Sequence, residues 1–156
     1  GFDSHYWPGE DTKLCLDIKK LGLEIIYDPD VYVWHHRREL FVPHLKQVGS
    51  YALHRGKFVK EFPETSLRLT YFIPSLFVLF IVLGYLLKLV SPSLGIVAWP
   101  FIYHGVLIFY LIILTFDLVR FEDVKVSALT FFGVISTHIW YGTMFIAGLL
   151  KSELKR

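Results

Sequence analysis

The chain has 156 residues, of which 54% are hydrophobic and 19% charged, and its formal net charge is +2. Its mean hydropathy of +0.48 argues against an ordinary soluble domain. The low net charge leaves no strongly basic surface for nucleic acid, and the single cysteine, Cys15, excludes an intramolecular disulfide framework and a cysteine-rich zinc site.

The charged residues divide the chain into two unlike halves near Arg68. Residues 1–68 contain ten Lys/Arg and ten Asp/Glu, whereas residues 69–156 contain six and four. The chain starts at Gly1 with polar, motif-like sequence and no basic-then-apolar leader. We therefore expect it to be the C-terminal piece of a longer protein.

A helix is predicted first, at residues 10–21. Glu10 and Asp11 suit the positive N-terminal end of a helix, and Gly22 is placed to terminate it. Two short strands rich in β-branched and aromatic residues are predicted next, at residues 24–27 and 31–35. Asp28-Pro29-Asp30 between them is typical of a turn.

Residues 39–68 mix apolar with basic side chains, which predicts an amphipathic helix at the membrane surface. The apolar half that follows is too long for one helix of a soluble core, and the Ser91-Pro92-Ser93 turn divides it. A run of about 22 residues reaches roughly 33 Å, slightly more than the hydrocarbon thickness of about 30 Å. About three transmembrane helices and a tail are predicted at residues 69–90, 94–119, 126–150 and 151–156.

The basic residues that close the polar half place it on the cytoplasmic face of a cell membrane, because short cytoplasmic segments carry the excess of Lys and Arg. These residues are Arg55, Lys57, Lys60 and Arg68. With three spans the basic tail lies outside, where it fits this rule poorly. The alternative is that one of the three runs is re-entrant, which would bring the tail back inside. A multi-pass protein with a cytoplasmic polar part is the resulting prediction.

The stretch Gly9-Glu10-Asp11-Thr12 places adjoining carboxylates at the mouth of a helix. Backbone N–H groups and the helix dipole can hold such a carboxylate ionised, and an ionised carboxylate in a cleft can take a proton from an attacking hydroxyl. The alternative interpretation is an acidic first turn without chemistry, which is common.

This stretch and its neighbours, in their order and spacing, resemble the end of the catalytic domain of family 2 glycosyltransferases. The stretches that match are Gly1-Phe2-Asp3, Gly9-Glu10-Asp11-Thr12-Lys13-Leu14, Leu21-Gly22, Ile25-Ile26-Tyr27-Asp28-Pro29, His35-His36-Arg37-Arg38, Gln47, Tyr51, Arg55-Gly56, Thr137-His138-Ile139-Trp140-Tyr141-Gly142 and Gly148-Leu149. The resemblance implies an α/β fragment, the end of a GT-A catalytic domain, at residues 1–38. An interface segment at residues 39–68 and an all-α membrane region at residues 69–150 would follow it.

The resemblance also implies an inverting transfer of a sugar from a nucleotide-sugar donor to a glycan or lipid-linked acceptor. Asp11 matches the family's general base, and Glu10 is its neighbour at the helix mouth. Trp7 lies near this pair and could stack on a sugar. Candidates for donor or acceptor contacts, or alternatively for a basic rim that meets lipid headgroups, are His36, Arg37, Arg38, Gln47 and Arg55.

A divalent metal, Mg or Mn, is expected to neutralise the leaving diphosphate. Its main ligands are expected in a missing N-terminal half, because no Asp-x-Asp motif precedes the acidic helix; His36 is the one candidate ligand in this chain. The family's nucleotide-binding half has no counterpart here, so these residues alone are predicted to be inactive.

Two alternatives stay open at this point. A non-catalytic polytopic membrane protein, either a transporter piece or an assembly subunit, would use Gly9 to Asp11 only as a helix start. A processive polysaccharide synthase would export its product through the helices, although three spans with few polar residues are too few to line a channel.

Overall fold

The computed structural model describes residues 1–36, 38–121 and 123–151. A short 3₁₀ turn at Ser4–Tyr6 precedes the helices. The helices in these ranges are α1 (Glu10–Lys20), α2 (Val42–Glu61), α3 (Pro63–Ser66), α4 (Leu69–Val90), α5 (Trp99–Phe121) and α6 (Val124–Leu150).

The predicted fold class, an α/β fragment of a GT-A domain, is wrong for this chain, because the described ranges are helical and contain no strand. Residues 24–27 and 31–35 are exposed and form neither helix nor strand. A strand needs a neighbouring strand to satisfy its backbone N–H and C=O groups, and no such neighbour is present in the part of the chain described. Only the predicted turn forms, with the Val31 N–H donating to Asp28 O over 3.2 Å.

Helix α1 is confirmed almost to the residue. It starts at Glu10 and ends at Lys20, and Gly22 follows with a φ of +77°. The N–H groups of Gly22 and Leu23 donate to the carbonyls of Lys19 and Ile18, which closes the helix in the manner of a Schellman motif. A left-handed φ at this position requires glycine, and the sequence supplies it.

The three predicted spans are confirmed as helices that are long and apolar enough to cross a membrane, and they are α4, α5 and α6. The second span starts at Trp99 and not at residue 94. Helix α5 starts later than predicted because the turn after α4 continues to Gly95, whose φ is +71°. Within this turn, backbone N–H groups donate to the Ser91 carbonyl. The connector before α6 ends at Asp123, whose carboxylate accepts from the Val126 N–H over 2.9 Å.

Helix α6 runs antiparallel to α4 and packs against it through small residues. The Ser75 hydroxyl of α4 donates to the Gly142 carbonyl over 3.1 Å, and the rings of Phe72 and Phe145 meet edge to face at 5.0 Å. On the α5 side, the Tyr110 hydroxyl lies 2.9 Å from His138 Nδ1. His138 therefore takes part in a hydrogen bond between two neighbouring spanning helices.

Helix α2 packs along the C-terminal part of α6 and runs parallel to it. His44 lies 3.2 Å from the Thr137 hydroxyl, and farther along the Lys60 ammonium donates to the Lys151 carbonyl over 2.6 Å. Between these points a side chain on Gly56 would meet the Gly148 Cα at 3.1 Å. The predicted amphipathic segment is thus a 20-residue helix packed along a spanning helix, and its depth in a bilayer stays a prediction. The contact between Lys60 and Lys151 brings the first residue of the predicted tail to the end of the polar half, which disagrees with a tail on the opposite side of the membrane and agrees with the re-entrant alternative.

Candidate active site

An aromatic cluster joins the start of α1 to the end of α2. The ring of Tyr6 meets those of Phe58 and Phe62 at 5.9 and 5.3 Å, and the Phe58 and Phe62 rings are 5.1 Å apart. Gly9 lies directly against Phe58, since an added Cβ would be 2.7 Å from that ring. Glycine at this position therefore lets the mouth of α1 dock on α2.

Asp11 lies in the first turn of α1, where the helix dipole favours a negative charge. One of its carboxylate oxygens accepts from the Thr12 N–H over 2.6 Å. Asp11 forms no ion pair with any other residue described. Its side chain is exposed and borders two adjoining cavities.

The first of these, the Asp11 cavity, has a volume of about 340 Å³ and is formed by α1, α2, α4 and α6. Its polar lining beyond α1 comes from Tyr51, His54, Arg55, Tyr71 and Tyr141. Hydroxyl, imidazole and guanidinium groups are the types that bind sugar hydroxyls and phosphates. The cavity can therefore hold a polar substrate beside the carboxylate.

Arg55 is held in place by an aromatic ring. Its guanidinium carbon lies 4.7 Å from the centroid of Tyr71, which is in the first turn of α4. This cation–π contact fixes the charge without neutralising it, so the guanidinium keeps its donors for an anion. Arg55 forms no ion pair with a carboxylate of the described residues.

The second, the Arg68 cavity, has a volume of about 430 Å³ and shares a wall with the first. The shared residues are Asp11, Thr12, Arg55 and Tyr71. The remainder of its charged lining is Lys19 from α1, Glu64 from α3 and Arg68 at the start of α4. Together the two cavities form a continuous polar surface at the end of the spans.

Unlike Asp11, Glu10 borders neither cavity. Its Oε2 atom is buried without a hydrogen-bond partner among the described residues. Burial of a carboxylate oxygen without a hydrogen bond is unfavourable, so the surroundings of this oxygen differ from those of the exposed Asp11 carboxylate. The adjoining carboxylates therefore have different surroundings, and Asp11 is the one that faces open space.

Several predicted contact residues lie away from the two cavities. Trp7 is 67% exposed and lines neither, and His36 and Arg38 are exposed on the extended segment. Arg37 lies outside the described residues. Gln47 reaches the site indirectly, because its amide donates to the Tyr51 hydroxyl over 3.3 Å. Of the predicted residues, the structure brings together Asp11 and Arg55.

A metal site does not form from the residues that the structure describes, which contain no group of three or more His, Cys, Asp or Glu side chains close enough to hold an ion. His36 lies exposed without such a group. The residues described here thus do not fit a resident metal, and the expectation of Mg or Mn rests on ligands outside them.

Sequence analysis missed the aromatic and basic residues that complete the cavities, among them Lys19, Tyr71 and Tyr141. Tyr71 carries a signal that could have been used, because aromatic residues in the first turn of a span commonly mark the interface. Lys19 has none, since a lysine near the end of a helix is typical of any solvated helix. Its role depends on how α1 docks.

A larger cavity, of about 700 Å³, lies along α5. Its lining is mainly apolar, with Ile108, Ile112 and Phe116 exposed on the surface of a span. An open apolar surface on a spanning helix is what lipid chains cover, and it offers little to a sugar. Volume alone therefore does not identify the candidate active site.

Comparisons with known proteins do not identify the chain. No family model, no curated protein and no solved structure matches it. The resemblance to family 2 glycosyltransferases accordingly rests on the residues and spacings of the sequence itself.

Proposed function

We propose that this chain is the acceptor-side part of a membrane-bound inverting glycosyltransferase. The observation that carries the proposal is the placement of Asp11, a carboxylate without an ion pair to a described residue, on a polar cavity at the start of α4. A base must lie beside a space that can hold its substrate, and this is the geometry that such a base requires. The spacing of Gly9-Glu10-Asp11-Thr12 supports the same assignment.

In the proposed reaction Asp11 accepts the proton of an acceptor hydroxyl as that oxygen attacks the anomeric carbon of a nucleotide sugar. A new glycosidic C–O bond forms, and the C–O bond to the donor's diphosphate breaks on the opposite face. The nucleoside diphosphate leaves with the bonding electron pair, and the anomeric configuration inverts. Arg55 is the candidate in this chain for contacts with phosphate oxygens.

The position of the Asp11 cavity gives the membrane helices a role in the proposed function, because two of them line it. Tyr71 belongs to the first turn of α4, and Tyr141 belongs to α6. Substrate bound beside Asp11 would therefore lie near the start of α4, where an acceptor anchored in lipid presents its head. We place this end on the cytoplasmic side of the cell membrane, from the distribution of Lys and Arg.

The test is Asp11→Asn in the full-length protein. Membranes that contain it are given tritium-labelled UDP-glucose, UDP-galactose or GDP-mannose, and label in the lipid extract is counted. We expect the variant to transfer about 100-fold less sugar or lower still, because the substitution keeps the shape and removes the base.

The matched control is Asp17→Asn, which changes a carboxylate of the same helix that pairs with Lys13 at 2.6 Å and borders neither cavity. It should keep its transfer rate, since a partly exposed i,i+4 ion pair on a helix contributes little to stability and lies outside the site. Equal elution volume and melting temperature show that both variants fold. A folded Asp11→Asn protein with undiminished transfer, or a wild type that transfers none of the three sugars, would refute the proposal.

A further inference from the structure

We infer that the Arg68 cavity binds the phosphate group of a lipid-linked acceptor. The inference rests on the proposed function and adds to it the chemical class of the acceptor, a sugar attached through phosphate to a lipid. Four observations support it: the charge of the cavity, its place at the start of a span, its shared wall with Asp11 and the scarcity of aromatic surface in it.

The lining of the Arg68 cavity has more positive than negative charges. Lys19, Arg55 and Arg68 line it, and none of them forms an ion pair with a described carboxylate. Of the two carboxylates in the lining, Glu64 is already paired with Lys20 at 3.3 Å. A backbone hydrogen bond first and Lys20 second hold the pKa of Glu64 below its ordinary value, so its charge is present and matched at neutral pH. Three cations thus face a cavity with one unmatched carboxylate.

The cavity lies where a lipid's head would lie. Arg68 is the residue before the first residue of α4, and Tyr71 is in the first turn of that helix. Helix α4 is 22 residues long and apolar, so its first residues mark the boundary between the lipid chains and the headgroups. Basic residues at such a boundary attract phosphate strongly.

The shared wall connects this phosphate to the chemistry. Asp11, Thr12, Arg55 and Tyr71 border both cavities. A phosphate held by Arg68 and Lys19 would therefore place the sugar bonded to it in the neighbouring Asp11 cavity. The reacting hydroxyl would then belong to the sugar nearest the phosphate, and the lipid chain would leave along α4.

The lining of the Arg68 cavity disfavours the nucleotide donor as the source of the bound phosphate. A nucleoside base needs an aromatic or flat surface on which to stack. Tyr71 is the one aromatic residue in the lining of the Arg68 cavity, and Arg55 already covers a face of its ring at 4.7 Å. A lipid phosphate needs the charges but not the stacking surface.

The experiment measures binding separately from transfer. Full-length protein in a nonionic detergent is titrated with farnesyl phosphate, in the wild type, in the double variant Lys19→Gln/Arg68→Gln and in Lys46→Gln. Lys46 is an exposed lysine of α2 that lines neither cavity. We expect the dissociation constant to rise about 25-fold in the double variant, since each basic residue near a lipid phosphate contributes about fivefold, and to stay unchanged in Lys46→Gln.

Competitors at equal concentration separate the sources of phosphate. The inference predicts that farnesyl phosphate resists displacement by inorganic phosphate, by UDP and by dioctanoyl phosphatidate. Displacement by UDP would assign the cavity to the donor, displacement by phosphatidate to bilayer phospholipid, and displacement by inorganic phosphate to any free anion. Each of these results would overturn the inference, as would equal affinity in the double variant and the lysine control.

Kinetics keep this inference distinct from the proposed function. The double variant should raise the KM for the lipid acceptor and leave kcat within about twofold. Asp11→Asn should lower kcat and bind farnesyl phosphate at least as tightly as the wild type, because it removes the unmatched carboxylate of the Arg68 cavity. A double variant that binds normally beside an inactive Asp11→Asn protein would refute the lipid-phosphate site alone. An active Asp11→Asn protein beside a double variant that binds poorly would refute the base alone.

Discussion

Helices α5 and α6 are both long and apolar enough to span a membrane, but they differ in how much of their surface other helices cover. In α6, 22% of the most apolar 18-residue window is buried against protein, while in α5 the share is 6%. The glycines explain the difference. An added Cβ on Gly148 of α6 would collide with the backbone of Leu53 in α2, whereas Gly105 of α5 has open space around it. Composition predicts that both helices span, and small residues at contacts decide which one binds other helices.

The packed helix is also the one that builds the candidate site. Tyr141 of α6 and Arg55 of α2 line the Asp11 cavity, and they are brought together by the close approach of Gly56 and Gly148. Helix α5 contributes nothing to either polar cavity. Changes that separate α2 from α6 should therefore affect both stability and transfer, and equivalent changes in α5 should affect neither.

The largest effect is expected from Gly148→Ala, with Gly105→Ala as its matched control. The methyl group on residue 148 forces α2 away from α6, and overpacking of this kind costs about 3 kcal/mol. Gly105→Ala adds a methyl group where nothing lies within 4 Å, so stability should stay equal or rise slightly with helix propensity. Denaturant unfolding in detergent measures both. Equal stability in the two variants would contradict the contrast between α5 and α6.

A smaller effect is expected at the start of α6 from Asp123→Ala. The Asp123 carboxylate accepts from the Val126 N–H over 2.9 Å, and loss of such a cap costs about 1 kcal/mol. Asp123→Ser can accept the same bond and should restore most of the loss. The unfolding midpoints of the three proteins provide the measurement, and a serine variant as unstable as the alanine variant would show that the cap is not the cause.

The smallest effect is expected where α5 does touch α6, through Tyr110→Phe. This variant loses the 2.9 Å contact with His138 Nδ1, and a hydrogen bond between membrane helices contributes about 0.6 kcal/mol on average. Tyr85→Phe is the control, because Tyr85 is exposed on α4 and its hydroxyl has no hydrogen bond to the described residues. A loss as large as that of Gly148→Ala would mean that α5 is held far more firmly than its surface indicates.

The elements that the sequence predicts correctly are those that local bonding decides. Helix α1 forms from Glu10 onward and ends before Gly22, and α4 matches the predicted span at residues 69–90. A helix satisfies its backbone groups within a few residues, so a short window contains the needed information. Residues 31–35 show the opposite case. Their β-branched and aromatic character predicts a strand, but pairing depends on a partner strand that the described residues do not contain.

The sequence predicted the chemical types of the residues in the candidate site, but not the full set of residues that form it. Asp11 and Arg55 were singled out from the sequence, and both line the same cavity. Trp7, three positions before the acidic pair, is 67% exposed and does not line the cavity. Tyr141, which is 130 positions from Asp11 by number, lies on the cavity wall instead. Closeness in sequence is therefore a poor guide where distant helices meet.

By itself the sequence determined three apolar helices long enough to span, one acidic helix start and the glycine that ends that helix. These follow from hydrophobic length and from hydrogen bonds between near neighbours. Only the tertiary structure decided that α2 lies along α6 and that Asp11, Arg55 and Tyr141 share a cavity. Those contacts depend on backbone approach at Gly56 and Gly148, where the absence of a side chain lets two helices meet.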